Sequence, residues 1–311
     1  MSKIKISVDA GHGFGTAGKR TPPMTQDIDM NQDGVIDVAK GDAIREHIAT
    51  VGVSMLLVEE LVRCGFEVIH TGFNDGNSQD EEDVSLSRRQ QTIKNAGCDY
   101  SISVHFNAFG DGASFNSAEG IGIYIHSIYP NDSMAFATKV LSYLIDGTSQ
   151  KKRGVSTAEL ALCNCQTMNT KASILVECAF MTNLGEAINM MGNDDYWEET
   201  ATEIARGICA YTEEKYMEAE IIPIKEERVT NNRTDILYRV QVGAFRHKLG
   251  GDGLVEKVKA VGFVNAFNKT TFLGGMPLYR VQIGAYSVKT NADKMLIKVK
   301  AAGFSDAFIQ V

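Results

Sequence analysis

Cysteine is scarce in this chain, with six in 311 residues (Cys64, Cys98, Cys163, Cys165, Cys178 and Cys209), each set among apolar neighbours. So few excludes a small fold framed by disulfides and fits reduced thiols in a core. Cys163-Asn-Cys165 has a single intervening residue, short of the two to four that zinc hairpins use. Long apolar runs are also missing. Even Val51 to Val62 is broken by Glu59 and Glu60, against the roughly 18 residues that a spanning helix needs, so no membrane partner is expected. The N-terminus, Met1-Ser-Lys-Ile-Lys-Ile-Ser-Val-Asp9, enters strand-like sequence with no basic segment, apolar stretch and small-residue cleavage site in succession. The expectation is a chain made in the cytoplasm without a signal peptide.

What is present is an ordinary globular composition, 44% hydrophobic and 23% charged, long enough to bury a sizeable core in about two domains. The net charge of −8 is unevenly divided. Residues 236–311 hold 11 Lys and Arg against 4 Asp and Glu, net +7, which leaves −15 on residues 1–235. An acidic body carries a basic tail suited to a polyanionic surface.

The tail is a repeat. Leu237-Tyr-Arg-Val-Gln-Val-Gly-Ala-Phe245 recurs as Leu278-Tyr-Arg-Val-Gln-Ile-Gly-Ala-Tyr286, and Val258-Lys-Ala-Val-Gly-Phe263 as Val299-Lys-Ala-Ala-Gly-Phe304, both at an offset of 41. Each copy reads as an alternating strand, a helix ending at Gly262 or Gly303, and a second short strand. Two copies give βαββαβ, a small α+β sheet with helices on one face. Residues 217–235, polar and charged with Pro223 and Asn231-Asn232, read as a linker. The doubled Tyr-Arg-Val-Gln motif resembles the SPOR domain, a repeat of bacterial cell-wall proteins. The resemblance implies that residues 236–311 bind peptidoglycan glycan strands, with Tyr238, Gln241, Tyr279 and Gln282 as the contacts on the sheet. An RNA-recognition module of the same topology would need a Lys/Arg-Gly-Phe/Tyr strand motif. That motif is absent, and no nucleic-acid partner is expected.

Residues 1–216 alternate strand-like and helical runs, which predicts an α/β fold with a mostly parallel twisted sheet and helices on both faces. In such sheets ligands collect beyond the carboxyl ends of the strands. Three strand ends carry reactive residues: Ile6-Ser-Val-Asp-Ala-Gly-His12 delivers His12, Ser101-Ile-Ser-Val-His105 delivers His105, and Ile174-Leu-Val-Glu177 delivers Glu177. A carboxylate among such apolar neighbours faces a desolvation cost of several kcal/mol unless a cation or catalysis compensates. Two His ligands call for a third, anionic one. Glu46 and His47 compete for that place, because adjacent helix positions point about 100° apart.

Together Val8-Asp-Ala-Gly-His-Gly13, Arg45-Glu46, Leu86-Ser-Arg88, Ser103-Val-His-Phe-Asn107 and Leu175-Val-Glu-Cys-Ala-Phe-Met-Thr-Asn183 resemble the zinc-dependent N-acetylmuramoyl-L-alanine amidases of the autolysin and phage-lysin group. The resemblance spans the first 215 residues or so. It implies one Zn2+ on His12, Glu46 and His105, Glu177 as the catalytic acid, and peptidoglycan as partner. The glycines beside His12 would let backbone and metal approach closely. Asn107 is a candidate to line the cleft, or a turn residue. The 33 residues between His12 and Glu46 contain Asp29, Asn31, Asp33 and Asp37 in a calcium-loop pattern whose position 12 is Lys40 rather than Glu. Calcium is therefore a weak second cofactor candidate beside a solvated acidic turn. The alternatives are a zinc peptidase cutting within the stem peptide and a non-catalytic wall-binding regulator. The enzyme would act at the cell wall after lysis or release through a pore. The sequence names no oligomeric state.

Overall fold

The computed structural model describes residues 3–30, 36–73, 83–146, 148–218, 237–245, 248–273, 276–286 and 288–310. The chain forms two compact units, Met1–Glu218 and Ala219–Val311. In the first, the order is β1 (Lys5–Ala10), α1 (Glu46–Arg63), β2 (Glu67–Thr71), α2 (Leu86–Ala96), β3 (Tyr100–Asn107), β4 (Ile121–His126), α3 (Ser133–Leu144), β5 (Lys152–Ala158), α4 (Cys165–Met168), β6 (Ala172–Phe180), α5 (Leu184–Glu186) and α6 (Asp194–Thr212), with a 3-10 turn at Ala161–Cys163. These strands make a six-stranded sheet in the order β2-β1-β3-β6-β4-β5. All neighbours are parallel except β4 and β6.

Strand alternation sorts the two faces. Ile102, Val104 and Phe106 of β3 and Ile174, Val176 and Cys178 of β6 enter the main core with Val53 and Leu57 of α1, Phe136 and Val140 of α3, and Ile204 and Ile208 of α6. The other face of the same strands carries Ser101, Ser103 and His105, then Ser173, Leu175 and Glu177. A smaller cluster of Ile93, Cys98, Leu162 and Met168 covers that side. Helices therefore flank both faces.

Two local departures from the sequence reading have simple causes. The sequence reads as helical from Ala43 to Cys64, but α1 begins at Glu46, because Arg45 is extended (φ −76°, ψ 136°) and pairs with Arg20 in an isolated β-bridge. β5, Lys-Arg-Gly-Val-Ser-Thr-Ala, was not expected, since it lacks an apolar run. It is the outer strand of the sheet, where charge and polarity are the usual protection against edge pairing.

The second unit runs β7 (Tyr238–Phe245), α7 (Lys248–Ala260), β8 (Ala266–Leu273), β9 (Met276–Tyr286), α8 (Lys289–Ala301) and β10 (Phe308–Gln310). Its antiparallel four-stranded sheet has the order β10-β7-β9-β8. Val240, Val242, Val281 and Ile283 pack against Val258 and Val299 of the helices as a separate core. Of the expected linker, residues 219–235 lie outside the described residues. Among the described residues no helix is long and apolar enough to cross a membrane.

Gly52 sets how closely α1 and α6 approach. A Cβ there would fall 2.2 Å from Cε3 of Trp197, a 6% exposed ring whose Nε1 donates to the Met190 and Met191 carbonyls. Gly52→Ala is expected to destabilise the first unit by about 1–3 kcal/mol through overpacking. Urea unfolding followed by tryptophan fluorescence checks this directly, since Trp197 is the one tryptophan.

Candidate active site

The carboxyl end of β1 is built around a buried arginine. Arg89, 1% exposed, donates from Nη1 to Asp9 Oδ1 (2.9 Å) and to the Ala10 carbonyl (2.6 Å). Its Nη2 donates to the His12 carbonyl and its Nε to that of Val84. These bonds hold His12 at φ 65°, a left-handed conformation uncommon for a residue with a side chain. The glycines beside His12 have another use than the expected approach to a metal. A Cβ on Gly11 would lie 2.5 Å from Cε1 of His105, and one on Gly13 would lie 2.5 Å from the Asp83 Cα. Gly11 makes room for the second imidazole and Gly13 for a neighbouring backbone.

The competition between Glu46 and His47 resolves by hydrogen bonding. His47 Nδ1 lies 2.9 Å from the Gly11 carbonyl, which also accepts from Thr50 Oγ1. That turns the ring toward the strand end. Glu46, 1% exposed, instead reaches over the sheet edge. Its Oε1 accepts from the Phe106 amide (3.1 Å) and lies 3.1 Å from His105 Nδ1, while Oε2 lies 3.3 Å from His12 Nε2. One ligand atom from each of His12, Glu46 and His105 lies within 4.8 Å of the others.

Burial and the mutual charges of the three groups set the protonation of this cluster in opposition. Burial lowers His12 to about 4, against the pull of Glu46. His105 is also pushed down by burial, but the hydrogen bond and charge of Glu46 outweigh that and raise it. Glu46 is held below the usual carboxylate range because the His105 contacts outweigh its own desolvation. Glu46 Oε2 remains buried with no hydrogen-bond partner. An orphaned carboxylate oxygen between two imidazoles is a donor set that fits a divalent cation.

Glu177 stands beside this cluster by register. β3 and β6 pair His105 with Glu177, and β6 and β4 pair Glu177 with Gly122. Lateral neighbours share a face, so His105 and Glu177 project together. Burial raises Glu177 to about 7, partly offset by His105. Its Oε2 is also buried without a hydrogen-bond partner.

Residues 6–210 match the family described as N-acetylmuramoyl-L-alanine amidase. The chain belongs to that family. It hydrolyses the amide bond between N-acetylmuramic acid and L-alanine in peptidoglycan. Residues 234–310 match the SPOR domain, which binds peptidoglycan. A sporulation-specific N-acetylmuramoyl-L-alanine amidase of Bacillus subtilis (strain 168) is 26% identical over 265 residues, covering 84% of this chain and 82% of its own. Among solved structures, an N-acetylmuramoyl-L-alanine amidase from Clostridium difficile 630 aligns with TM-score 0.53 at 21% identity, over 69% of this chain and 100% of that one. The catalytic domain of CwlV from Bacillus (Paenibacillus) polymyxa var. colistinus aligns with TM-score 0.51 at 20% identity, over 68% and 99%. Both show the α/β fold described above.

Around the amidase site, Asn107 ends β3 with its Oδ1 accepting from the Ala108 amide (2.8 Å) and its carbonyl accepting from Met181. Those are bonds that a turn residue makes. Two functional supports escaped the sequence reading. Arg89 is one; the motif had been drawn through Arg88, which is exposed, whereas Arg89 and Ile93 are the buried residues of α2. Their four-residue spacing is the signal that would have found it. The other is Glu186, 7% exposed, whose two oxygens accept from the Gly120 amide (2.7 Å) and the Phe180 amide (2.6 Å). Asn183-Leu-Gly-Glu186 is a helix-start pattern, and the Asn183 side chain accepts from the Glu186 amide.

Of the calcium pattern, Asn31 and Asp33 lie outside the described residues. Asp37 Oδ2 accepts from the Met30 amide (2.7 Å), closing a loop whose ends pair Ile28 with Val38. Among the described residues the one group of three His, Cys, Asp or Glu that could hold a metal is His12, Glu46 and His105. In the second unit, Gln241 and Gln282 are cross-strand partners, 3% and 2% exposed. Tyr238 packs against the core with Val240, and Tyr279 shares its alternation with Val281. The four residues expected on one face are thus divided between two.

Removing Arg89 leaves Asp9 charged and buried, which costs about 3–5 kcal/mol for a pair of this kind. Arg89→Met should therefore lower thermal stability strongly and loosen metal binding at His12. Calorimetric unfolding and zinc titration of the same variant check both effects.

Proposed function

We propose that the amidase works with a single zinc ion held by His12, Glu46 and His105 and with Glu177 as its acid–base group. The observation that carries this is the pair of buried, partnerless oxygens, Glu46 Oε2 and Glu177 Oε2, flanking His105. Bound there, zinc would supply a Lewis acid that polarises the lactyl carbonyl and brings the pKa of water toward about 7. Glu177 accepts the proton of the attacking water and passes it to the departing alanine nitrogen. Its burial supports that role, because a carboxyl group raised to about 7 can both take and give a proton near neutrality. The products are the lactyl carboxylate of the glycan and a stem peptide with a free amino terminus.

The second unit supports a matched binding role. Across its sheet Phe308, Gln241, Gln282 and Phe267 are successive register partners. Valine alternation puts this row on the face away from the helices. The phenylalanines are 46% and 44% exposed, and the row is symmetric, since Gln241 and Gln282, like Phe267 and Phe308, are repeat equivalents 41 apart. Aromatic faces at both ends with amides between them suit a sugar chain. The exposed Phe267 and Phe308, rather than Tyr238 and Tyr279, carry the glycan-binding proposal; Gln241 and Gln282 are buried between them, where Gln241 accepts from Arg280. Stripped glycan, the product, is then also the anchor. Likeness to a sporulation-specific amidase over 84% of the chain supports a role in sporulation over one in phage lysis.

Glu177→Gln is expected to keep one zinc per chain and lose turnover by about 10²–10⁴-fold; an active, zinc-loaded variant in a muropeptide assay would overturn the assignment. Phe267→Ala with Phe308→Ala should reduce adsorption to purified walls and leave hydrolysis of a soluble muropeptide unchanged, which a pull-down run beside mass spectrometry of the released fragments decides.

A further inference from the structure

Glu177 Oε2 is buried without a hydrogen-bond partner, and neither oxygen of the carboxylate accepts a hydrogen bond among the described residues. Its position is therefore set by the backbone that carries it. That backbone is irregular immediately afterwards. Between the pairs His105 with Glu177 and Asn107 with Phe180, β3 advances two residues and β6 three. The extra residue makes a β-bulge, and its mark is that Cys178 and Ala179, neighbours in sequence, both enter the main core. The ladder to β4 stops at the same level, with Gly122 and Glu177 as its outermost pair. A bulge re-aims a side chain and gives up ladder hydrogen bonds to do so.

Side chains from outside the sheet replace those bonds. Gln150, 8% exposed, donates from Nε2 to the Cys178 carbonyl (3.0 Å), and the Tyr196 hydroxyl of α6 donates to the same oxygen. Gln150 Oε1 lies 3.1 Å from that hydroxyl, so the two donors brace each other. Glu186 accepts from the Phe180 amide (2.6 Å) and hydrogen-bonds Gln150 as well. The bulge is thus held on its Cys178 carbonyl and on its Phe180 amide. Burial pushes Tyr196 well above the usual phenol range, which keeps its hydroxyl protonated and donating. One donor would meet most of the penalty of burying a carbonyl oxygen. Two donors fill both of its lone pairs and fix its direction, one residue beyond the acid–base group.

We propose that Tyr196 and Gln150 are positioning residues for the reaction: by fixing the Cys178 carbonyl they aim the Glu177 carboxylate at the leaving nitrogen. The inference rests on the assignment of Glu177 as the acid–base group. Such a group must come within about 2.6–3.2 Å of the atom it protonates, and a misplacement of about 1 Å can lower the rate about 10²-fold. A carboxylate with no hydrogen bond of its own passes any turn of its backbone straight to the reacting atoms. His12, Glu46 and His105 stand on the loop after β1, on α1 and on β3, none of them on β6. Loosening the bulge therefore acts on proton transfer and leaves the metal ligands in place.

The test uses zinc-loaded full-length enzyme and a soluble muropeptide. Tyr196→Phe should lower kcat about 10-fold, with KM within about 2-fold of wild type and one zinc retained per chain. Gln150→Met should act in the same direction, and the two together should lower kcat about 10²-fold. Added to Glu177→Gln, Tyr196→Phe should slow the remaining turnover by less than about 2-fold, because a residue acting through Glu177 then has nothing left to position. Thermal unfolding of each variant accompanies the kinetics, with rates taken where every variant is folded. A lower melting temperature at unchanged kcat, or the same fold-loss with and without the Glu177 carboxylate, would overturn the positioning role while leaving Glu177 in place. Full turnover by zinc-loaded Glu177→Gln would remove the Glu177 reading and this inference together.

Discussion

The Asp9 carboxylate holds the register on which the active site depends. It is fully buried, and it accepts from Thr71 and Ser103, its lateral partners on the two neighbouring strands, as well as from Arg89 of α2. Two residues further along β1 and β3, the same alternation brings Gly11 beside His105, and β6 adds Glu177. A slip of one residue would turn every side chain of a strand to the other face. It would also separate a buried charge from three donors, which a dry interior penalises heavily. The polar row below the site thus fixes the row of Gly11, His105 and Glu177 above it.

That row is built at a cost to stability. Two carboxylate oxygens lie in the protein without a hydrogen bond, and two imidazoles crowd within a ring-centroid distance of 4.9 Å. Purely structural packing avoids such arrangements, since each unmet buried polar atom costs about 1–3 kcal/mol or more when charged. Hydroxyls such as those of Ser7, Ser54 and Ser101 are also unmet elsewhere, but the two carboxylate oxygens, the costlier kind, both stand at one strand end, which argues that their deficit is met by what binds there. The left-handed His12 belongs to the same account, because Arg89 and the close approach of His105 over Gly11 determine it from both sides.

Much of this was legible in the sequence where period and chemistry coincide. His12, His105 and Glu177 each end an apolar alternation, so topology alone gathers them. The choice between Glu46 and His47 came only from the family resemblance and was not legible in the residues themselves, because it depends on the Gly11 carbonyl claiming His47, a contact 36 residues away. Arg89 hid beside Arg88, its neighbour in sequence, although its helical phase with Ile93 marks it. β5 hid because an edge strand has no need of an apolar run. In the tail, the repeat offset foretold the topology, and the alternation of Tyr238 with Val240 and Val242 already turned the tyrosine inward, but nothing marked Phe267 and Phe308 for the open side.

Charge explains why an enzyme of this kind needs more than its catalytic unit. Residues 1–235 carry a net −15 and the substrate is itself anionic, so diffuse electrostatics opposes their encounter. Screening over about 8–10 Å at physiological ionic strength weakens that repulsion at long range but not inside the cleft. The basic unit of net +7 over residues 236–311 reverses the sign. By binding peptidoglycan it raises the concentration of catalyst along the wall, so each cut favours the next nearby cut.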